Sequence, residues 1–148
     1  MKRSLLYLLI LAAVLVCPTK ATDVGKLQPV QTIAVYKGED GYAIATDTKD
    51  TGKGVDIPAA IENLKATTPA TIYLDTAQYL IVSDESLVEE LRDHLKGNVK
   101  LYRFIGTPPM ETVSKFLAAH GDGPALRRWK SGDALPVLDC RSERLIFL

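Results

Sequence analysis

The chain has 148 residues, 47% of them hydrophobic, which is enough for one domain with a single core. It carries 18 basic and 18 acidic residues, but three of the basic ones and none of the acidic ones lie in residues 1–21. Residues 22–148 therefore carry 15 basic and 18 acidic residues, a net charge of −3. This balance argues against a nucleic-acid-binding protein, which needs a basic surface.

Residues 1–21 are predicted to be a secretory signal peptide. Two basic residues precede an apolar run over residues 5–16, which is shorter than the roughly 20 residues that cross a bilayer. Small side chains near its end favour cleavage after Ala21. We expect residues 22–148 to form one extracytoplasmic domain, secreted or at the outer face of the membrane.

The two cysteines bear on localisation and on stability. Cys17 ends the apolar run and offers an alternative, lipid attachment to the membrane, but Val16 stands where a bacterial lipoprotein signal has a small residue. Only Cys140 remains after cleavage at Ala21, so no internal disulfide can form and the core must hold the domain together. We expect Cys140 to be a small buried side chain.

The first elements predicted along the chain are two strands and a loop. Residues 30–37 and 42–48 flank an Asp-Gly turn, which predicts a β-hairpin. Residues 47–54 follow as a polar loop. Asp47, Asp50 and Asp56 do not fit the spacing of a calcium-binding EF-hand, and the Gly-Lys-Gly triplet of the loop does not fit a phosphate-binding loop. The loop is therefore predicted to be a solvated connection.

Helical and strand patterns then alternate. A helix beginning near residue 57 has Pro58 in its first turn and leads into a β-α-β unit over residues 71–104. The helix of that unit carries an apolar stripe at Leu87, Val88, Leu91 and Leu95. A further helix follows two prolines after residue 107, with Glu111 and Lys115 at ion-pair spacing. Residues 135–148 predict a second hairpin or a pair of edge strands.

These elements predict an α/β or α+β fold. We expect a mixed sheet of about five strands, three main helices, a β-hairpin at the start and a central β-α-β unit. Because β-α-β connections are almost always right-handed, consecutive helices should lie on one face of the sheet unless the strand order reverses.

No catalytic, cofactor or metal residue is assigned from the sequence. His94 and His120 are the two histidines, and no His-Glu-x-x-His, paired-cysteine or serine-elbow spacing occurs. His94 is expected to be a structural histidine near the buried stripe. Asp75 follows a strand, where ligand-binding carboxylates are common, but a cap on the next turn is the simpler role.

One basic cluster with an aromatic residue is the candidate partner-binding site. It comprises Arg127, Arg128, Trp129 and Lys130. The cluster could dock on an anionic surface or a partner protein. The alternative is a short amphipathic turn in which Leu126 and Trp129 are buried.

The order of segments resembles a known family. An export signal precedes a strand pair and the segments GVDIPAAIENL, IYLDTAQYLIVSDESLVEEL, VKLYRFIGTPPMETVSKFL and LPVLD. This order resembles the N-terminal domain of the C-subunit of spore germinant receptors, the Ger(x)C family of spore-membrane lipoproteins. The comparable places are taken by Ala60-Ile61, Leu64, residues 81–85 and Phe116-Leu117. The likeness covers most of residues 22–148, and no functional residue is carried over from it.

The predicted function is an exported, non-enzymatic binding or assembly module of a bacterial cell envelope, with an envelope protein as partner. The resemblance implies a germinant-receptor-like complex. One alternative is a small secreted hydrolase that uses Asp75 and a histidine. A purely structural envelope protein is the other.

Overall fold

The computed structural model describes residues 2–16, 27–68 and 71–148. Helix α1 (Lys2–Val16) coincides with the predicted apolar run, and its side chains from residue 3 to residue 13 are exposed. The expected cleavage after Ala21 and the lipidation considered at Cys17 lie outside the described residues. None of the helices described combines the length and the apolar character that crossing a membrane requires.

The protein has a mixed α/β fold, as the sequence predicts. Two short strands pair outside the main sheet: β1 (Leu27–Pro29) lies parallel to β5 (Thr71–Tyr73). The strands of the main sheet are β2 (Thr32–Gly38), β3 (Gly41–Thr46), β4 (Thr51–Gly54), β6 (Tyr79–Val82), β7 (Lys100–Gly106), β8 (Val137–Cys140) and β9 (Ile146–Phe147). Within the described residues these seven strands lie in the order β4-β3-β2-β6-β7-β8-β9.

The centre of the sheet is parallel and its ends are antiparallel. Strands β2, β6, β7 and β8 run in one direction, and the hairpins β2-β3 and β8-β9 add the antiparallel ends. Both predicted hairpins are therefore confirmed. Seven strands rather than about five form the sheet, and one of them, β4, lies in the stretch predicted to be a loop.

Side chains alternate between two faces of the sheet. Face A carries Ile33, Val35, Leu80, Val82 and Leu101, which pack with helices α2 (Ile57–Thr67) and α3 (Ser86–Leu91). Face B carries Ala34, Ile81, Tyr102, Phe104 and Leu138, which pack with helix α4 (Met110–His120).

Helices α3 and α4 therefore lie on opposite faces, although β6, β7 and β8 follow one another without reversal of order. The expectation that consecutive helices share a face is wrong here. The reason lies in the connection from β7 to β8, which crosses face B as α4 and then returns to face A. On face A it buries Leu126 and Trp129 in the same core cluster as Leu91 of α3.

Residues 51–54 form strand β4 and not the predicted loop. The α2 backbone lies directly against this strand: a Cβ on Gly52 would come within 2.6 Å of the Leu64 backbone nitrogen, and one on Gly54 within 2.6 Å of the Ala59 carbonyl carbon. The glycines are thus needed for close packing. Helix α2 itself begins as predicted, with the Asp56 carboxylate accepting a hydrogen bond from the Ala59 N–H at 2.8 Å.

The helix of the central unit is shorter than its apolar stripe predicts. It ends at Leu91, and a 3-10 turn follows over Arg92–His94. The change of winding rotates His94 out of the buried stripe, so this histidine is exposed and not structural. The helix entrance is held by Asp84, which accepts a hydrogen bond from the Ser86 N–H at 2.9 Å; this bond lowers the pKa of the Asp84 carboxyl.

Candidate functional site

The basic-aromatic cluster lies on a turn that is attached to α3 through Arg92. The Arg92 guanidinium donates hydrogen bonds to the Leu126 carbonyl at 3.1 Å and to the Trp129 carbonyl at 3.0 Å. Its charge also lies over the indole ring, 6.0 Å from the ring centroid. These contacts hold the turn beside α3 on face A.

The Trp129 side chain belongs to the core. It is 3% exposed, and its Nε1 donates to the Asp133 carbonyl at 3.0 Å. The hypothesis that a partner buries Trp129 is therefore wrong, and the alternative of an amphipathic turn is confirmed for Leu126 and Trp129. Arg127 and Arg128 remain exposed, so their role in partner binding stays a prediction.

The structure shows which histidine lies near Asp75, the residue of the hydrolase alternative. Asp75 and His94 line one cleft of about 230 Å³ between α2 and the 3-10 turn that follows α3. Both side chains are exposed, and neither makes a hydrogen bond or ion pair with another residue in the described part of the chain, so the capping role expected for Asp75 is wrong. His120 lies elsewhere, with its ring 5.0 Å from that of Phe116 on α4. The rest of the cleft is formed by Ile61, Lys65, Ile72 and Leu74.

Three acidic residues weighed as calcium ligands have separate structural roles. Asp47 accepts from the Gln31 N–H at 3.2 Å and from the Ser114 hydroxyl at 3.3 Å. Asp50 accepts from the Thr48 hydroxyl at 2.7 Å, and Asp56 caps α2. Across residues 2–16, 27–68 and 71–148, no group of three or more His, Cys, Asp or Glu side chains is placed to hold a metal ion.

Helix α4 is held on face B by polar contacts that the sequence did not predict. The Ser114 hydroxyl hydrogen-bonds with that of Thr32, and both side chains are buried. Glu111 forms its ion pair with Lys49 on the β3-β4 turn rather than with Lys115. The i,i+4 pair expected within α4 is therefore wrong, because a non-local cation lies closer.

At the carboxyl end of β8, Asp139 is neutralised by Arg141. The guanidinium donates to both carboxylate oxygens, at 2.9 and 2.8 Å, and these hydrogen bonds lower the pKa of Asp139 to about 2. The neighbouring Cys140 is 7% exposed, and burial raises the pKa of its thiol to about 11. Cys140 is thus the small buried side chain that the sequence predicts.

The two edges of the sheet differ in whether a helix covers their backbone hydrogen-bonding groups. Along β4, the Lys53 N–H donates to the Asn63 side chain at 3.0 Å and the Thr51 carbonyl accepts from the Thr67 hydroxyl at 3.3 Å, so α2 side chains occupy this edge. The β9 edge has no such helix beside it among the described elements. Phe147 anchors β9 from face B by packing against Tyr102 and Phe116.

Above β7, β8 and β9, face A carries apolar side chains that belong to neither core cluster. Cross-strand partners share a face, and the register aligns Ile105 with Asp139 and Ile146 in one row. The next row aligns Arg103 with Val137 and Leu148, whose N–H donates to the Val137 carbonyl at 2.9 Å. We call this surface the terminal patch; its members are Arg103, Ile105, Val137, Ile146 and Leu148.

Sequence reasoning missed the terminal patch because the rows exist only once the strand register is known. The sequence shows that Ile146 and Leu148 are apolar, but only the structure shows that they are 48% and 66% exposed. Comparison of the chain with protein-family models, with curated proteins and with solved structures gave no match.

Proposed function

We propose that the protein is an exported, non-catalytic binding or assembly module of a bacterial cell envelope. The terminal patch carries this proposal. Parallel strands are ordinarily covered by helices on both faces, yet here the parallel pair β7-β8 and the adjoining β9 present apolar side chains outside both core clusters. An apolar surface of this kind is typical of a protein-protein contact.

Export is supported by the N-terminal segment. Its basic start and the apolar helix α1 have the pattern of a secretory signal, and the side chains of residues 3–13 make no part of either core. We place the domain outside the cytoplasm, secreted or at the outer face of the membrane. The resemblance to the germinant-receptor C-subunit makes a multi-protein envelope complex the natural setting.

The experiment uses the full-length chain with a C-terminal tag in its source organism. Fractionation and N-terminal sequencing of the exported product should give a chain that begins at Thr22. Cross-linking of intact cells with a lysine-reactive reagent should give a product larger than the chain alone. An uncleaved chain recovered from the cytoplasm, or an exported chain that never cross-links, would contradict the proposal.

A second candidate function, a secreted hydrolase, is favoured by one observation. Asp75 and His94 share a cleft in which a carboxylate, an imidazole and the Lys65 amine face apolar walls. Asp75→Asn and His94→Gln test this candidate by complementation of a deletion strain. Asp93→Asn is the matched control, since Asp93 is also exposed and lies in the same 3-10 turn as His94. A binding module predicts full complementation by all three variants. Loss of function confined to Asp75→Asn and His94→Gln, in proteins that still fold, would support the enzyme.

A further inference from the structure

We infer that the terminal patch is the docking site for one amphipathic helix of a partner protein, with an acidic side chain beside its apolar stripe. The inference rests on the proposed binding function and specifies its surface and partner. Its starting point is the uneven cover of the sheet. On face A, α2 packs against β4 and β3, and α3 with the Trp129 turn packs in the central core. The end of face A above β7, β8 and β9 has no such layer among the described elements.

The dimensions of the patch fit a helix. Three neighbouring strands spaced by about 4.8 Å span about 10 Å, and a helix with its side chains is about 10–12 Å across. Helices that bind in this way use a few anchors at i, i+3, i+4 and i+7. Ile105 and Ile146 flank Asp139 in one row, and Val137 and Leu148 are neighbours in the other row, so such anchors would rest around Asp139.

The charge of the terminal patch indicates which side chains the partner helix carries. Asp139 lies between two members of the patch, Ile105 and Ile146, but Arg141 holds it in a two-bond ion pair, so its charge is already compensated. The Arg103 side chain is exposed and makes no hydrogen bond or ion pair with any residue described; its charge helps to lower the pKa of Asp84. The uncompensated charge of the patch is thus positive, which favours a partner with Asp or Glu at this point.

A second copy of the chain is a poorer occupant. Stable dimers bury about 800 Å² and 20–30 residues on each side, whereas the terminal patch comprises five side chains. The apolar stripes of α2, α3 and α4 are already buried in the protein's own cores. Helix α1 has exposed apolar side chains, but its sequence KRSLLYLLILAAVLV contains no acid to pair with Arg103.

The inference is tested in cells with a photo-cross-linking amino acid placed at Ile146. We expect a covalent product in which the cross-linked peptide belongs to another protein. The sequence of that peptide should have the pattern of an amphipathic helix with an acidic residue next to its apolar stripe. Arg103→Glu should abolish at least nine-tenths of this product, and replacing the mapped acid by Lys should restore it. The urea-unfolding midpoint of Arg103→Glu should match that of the parent protein, because Arg103 is exposed.

A cross-linker at Val55 is the matched control, since Val55 is 81% exposed next to the opposite, protected edge. A product from Val55 but none from Ile146 would overturn the docking site and leave the binding function standing. Products at Ile146 that map to this chain, or to lipid, would also overturn the inference. No product from either position, together with a monomeric exported chain, would overturn the proposed function as well.

Discussion

Replacing Leu91 with Ala tests how α3 is packed on the sheet. Leu91 is the last residue of α3, is 2% exposed and belongs to the face A core. The substitution removes three carbon atoms, and about 0.8 kcal/mol for each buried CH₂ gives a loss of about 2.4 kcal/mol. The cavity that remains adds to this loss, so the free energy of unfolding should fall by about 2–5 kcal/mol.

Equilibrium unfolding in urea measures this change. With a denaturant dependence of about 1–3 kcal/mol per molar urea, a loss of about 3 kcal/mol lowers the midpoint by about 1–3 M. Leu95→Ala is the control: Leu95 follows the 3-10 turn and is only partly buried against the same core, so its loss should be smaller. An unchanged midpoint for Leu91→Ala, or a larger shift for Leu95→Ala, would refute the packing described for α3.

Three further predictions concern other parts of the sheet. Gly52→Ala should lower the free energy of unfolding by about 1–3 kcal/mol in the same urea experiment, because the new Cβ would overlap the α2 backbone. Gly38→Ala is the control: the nearest atom to its Cβ would be 3.8 Å away, so the free energy of unfolding should change little. The pKa of Asp139 in the folded state is about 2, below its ordinary 3.8, so its ion pair stabilises the fold above about pH 4 and this stabilisation is lost as the pH falls toward 2. In an acid titration followed by circular dichroism, Asp139→Asn should lack this part of the unfolding transition. Identical titration curves for the variant and the parent protein would contradict this role of Asp139. Cys140 should resist alkylation at pH 8 in the native protein and react once urea unfolds it; rapid native labelling would show that the thiol is not buried.

Local signals were sufficient to predict several elements. Helix α2 carries its start in adjacent residues, with the Asp56 cap and Pro58 in the first turn, and its apolar stripe repeats with the helical period. The β2-β3 hairpin is likewise defined by a two-residue turn between Gly38 and Gly41. Such features depend on neighbours in the sequence, so the sequence alone predicts them.

Features that depend on distant residues were not predictable. The glycines of β4 look like loop residues until α2 is seen to lie against them. The partner of Glu111 is Lys49, far away in the chain, and nothing near Glu111 indicates it. The Trp129 turn lies on face A, where two of its carbonyls accept hydrogen bonds from Arg92, which is 34 and 37 positions away in the sequence.

The candidate site was missed for the same reason. The terminal patch requires the register of β7, β8 and β9, which sets Ile105, Val137 and Ile146 side by side. The cleft of Asp75 and His94 requires the 3-10 turn that follows α3. Residue type pointed instead to Trp129, since Trp is common at protein interfaces. Trp129 is only 3% exposed, so residue type alone does not separate a core Trp from an interface Trp.

The most direct test of the binding role is the solvent accessibility of the terminal patch in the native envelope. Ile146→Cys and Val55→Cys each introduce an exposed thiol, while Cys140 stays buried. A membrane-impermeant maleimide should label both new thiols in the purified protein. In intact cells it should label Val55→Cys but leave Ile146→Cys largely protected. Equal labelling of the two thiols in cells would contradict the account, because it would mean that nothing covers the patch.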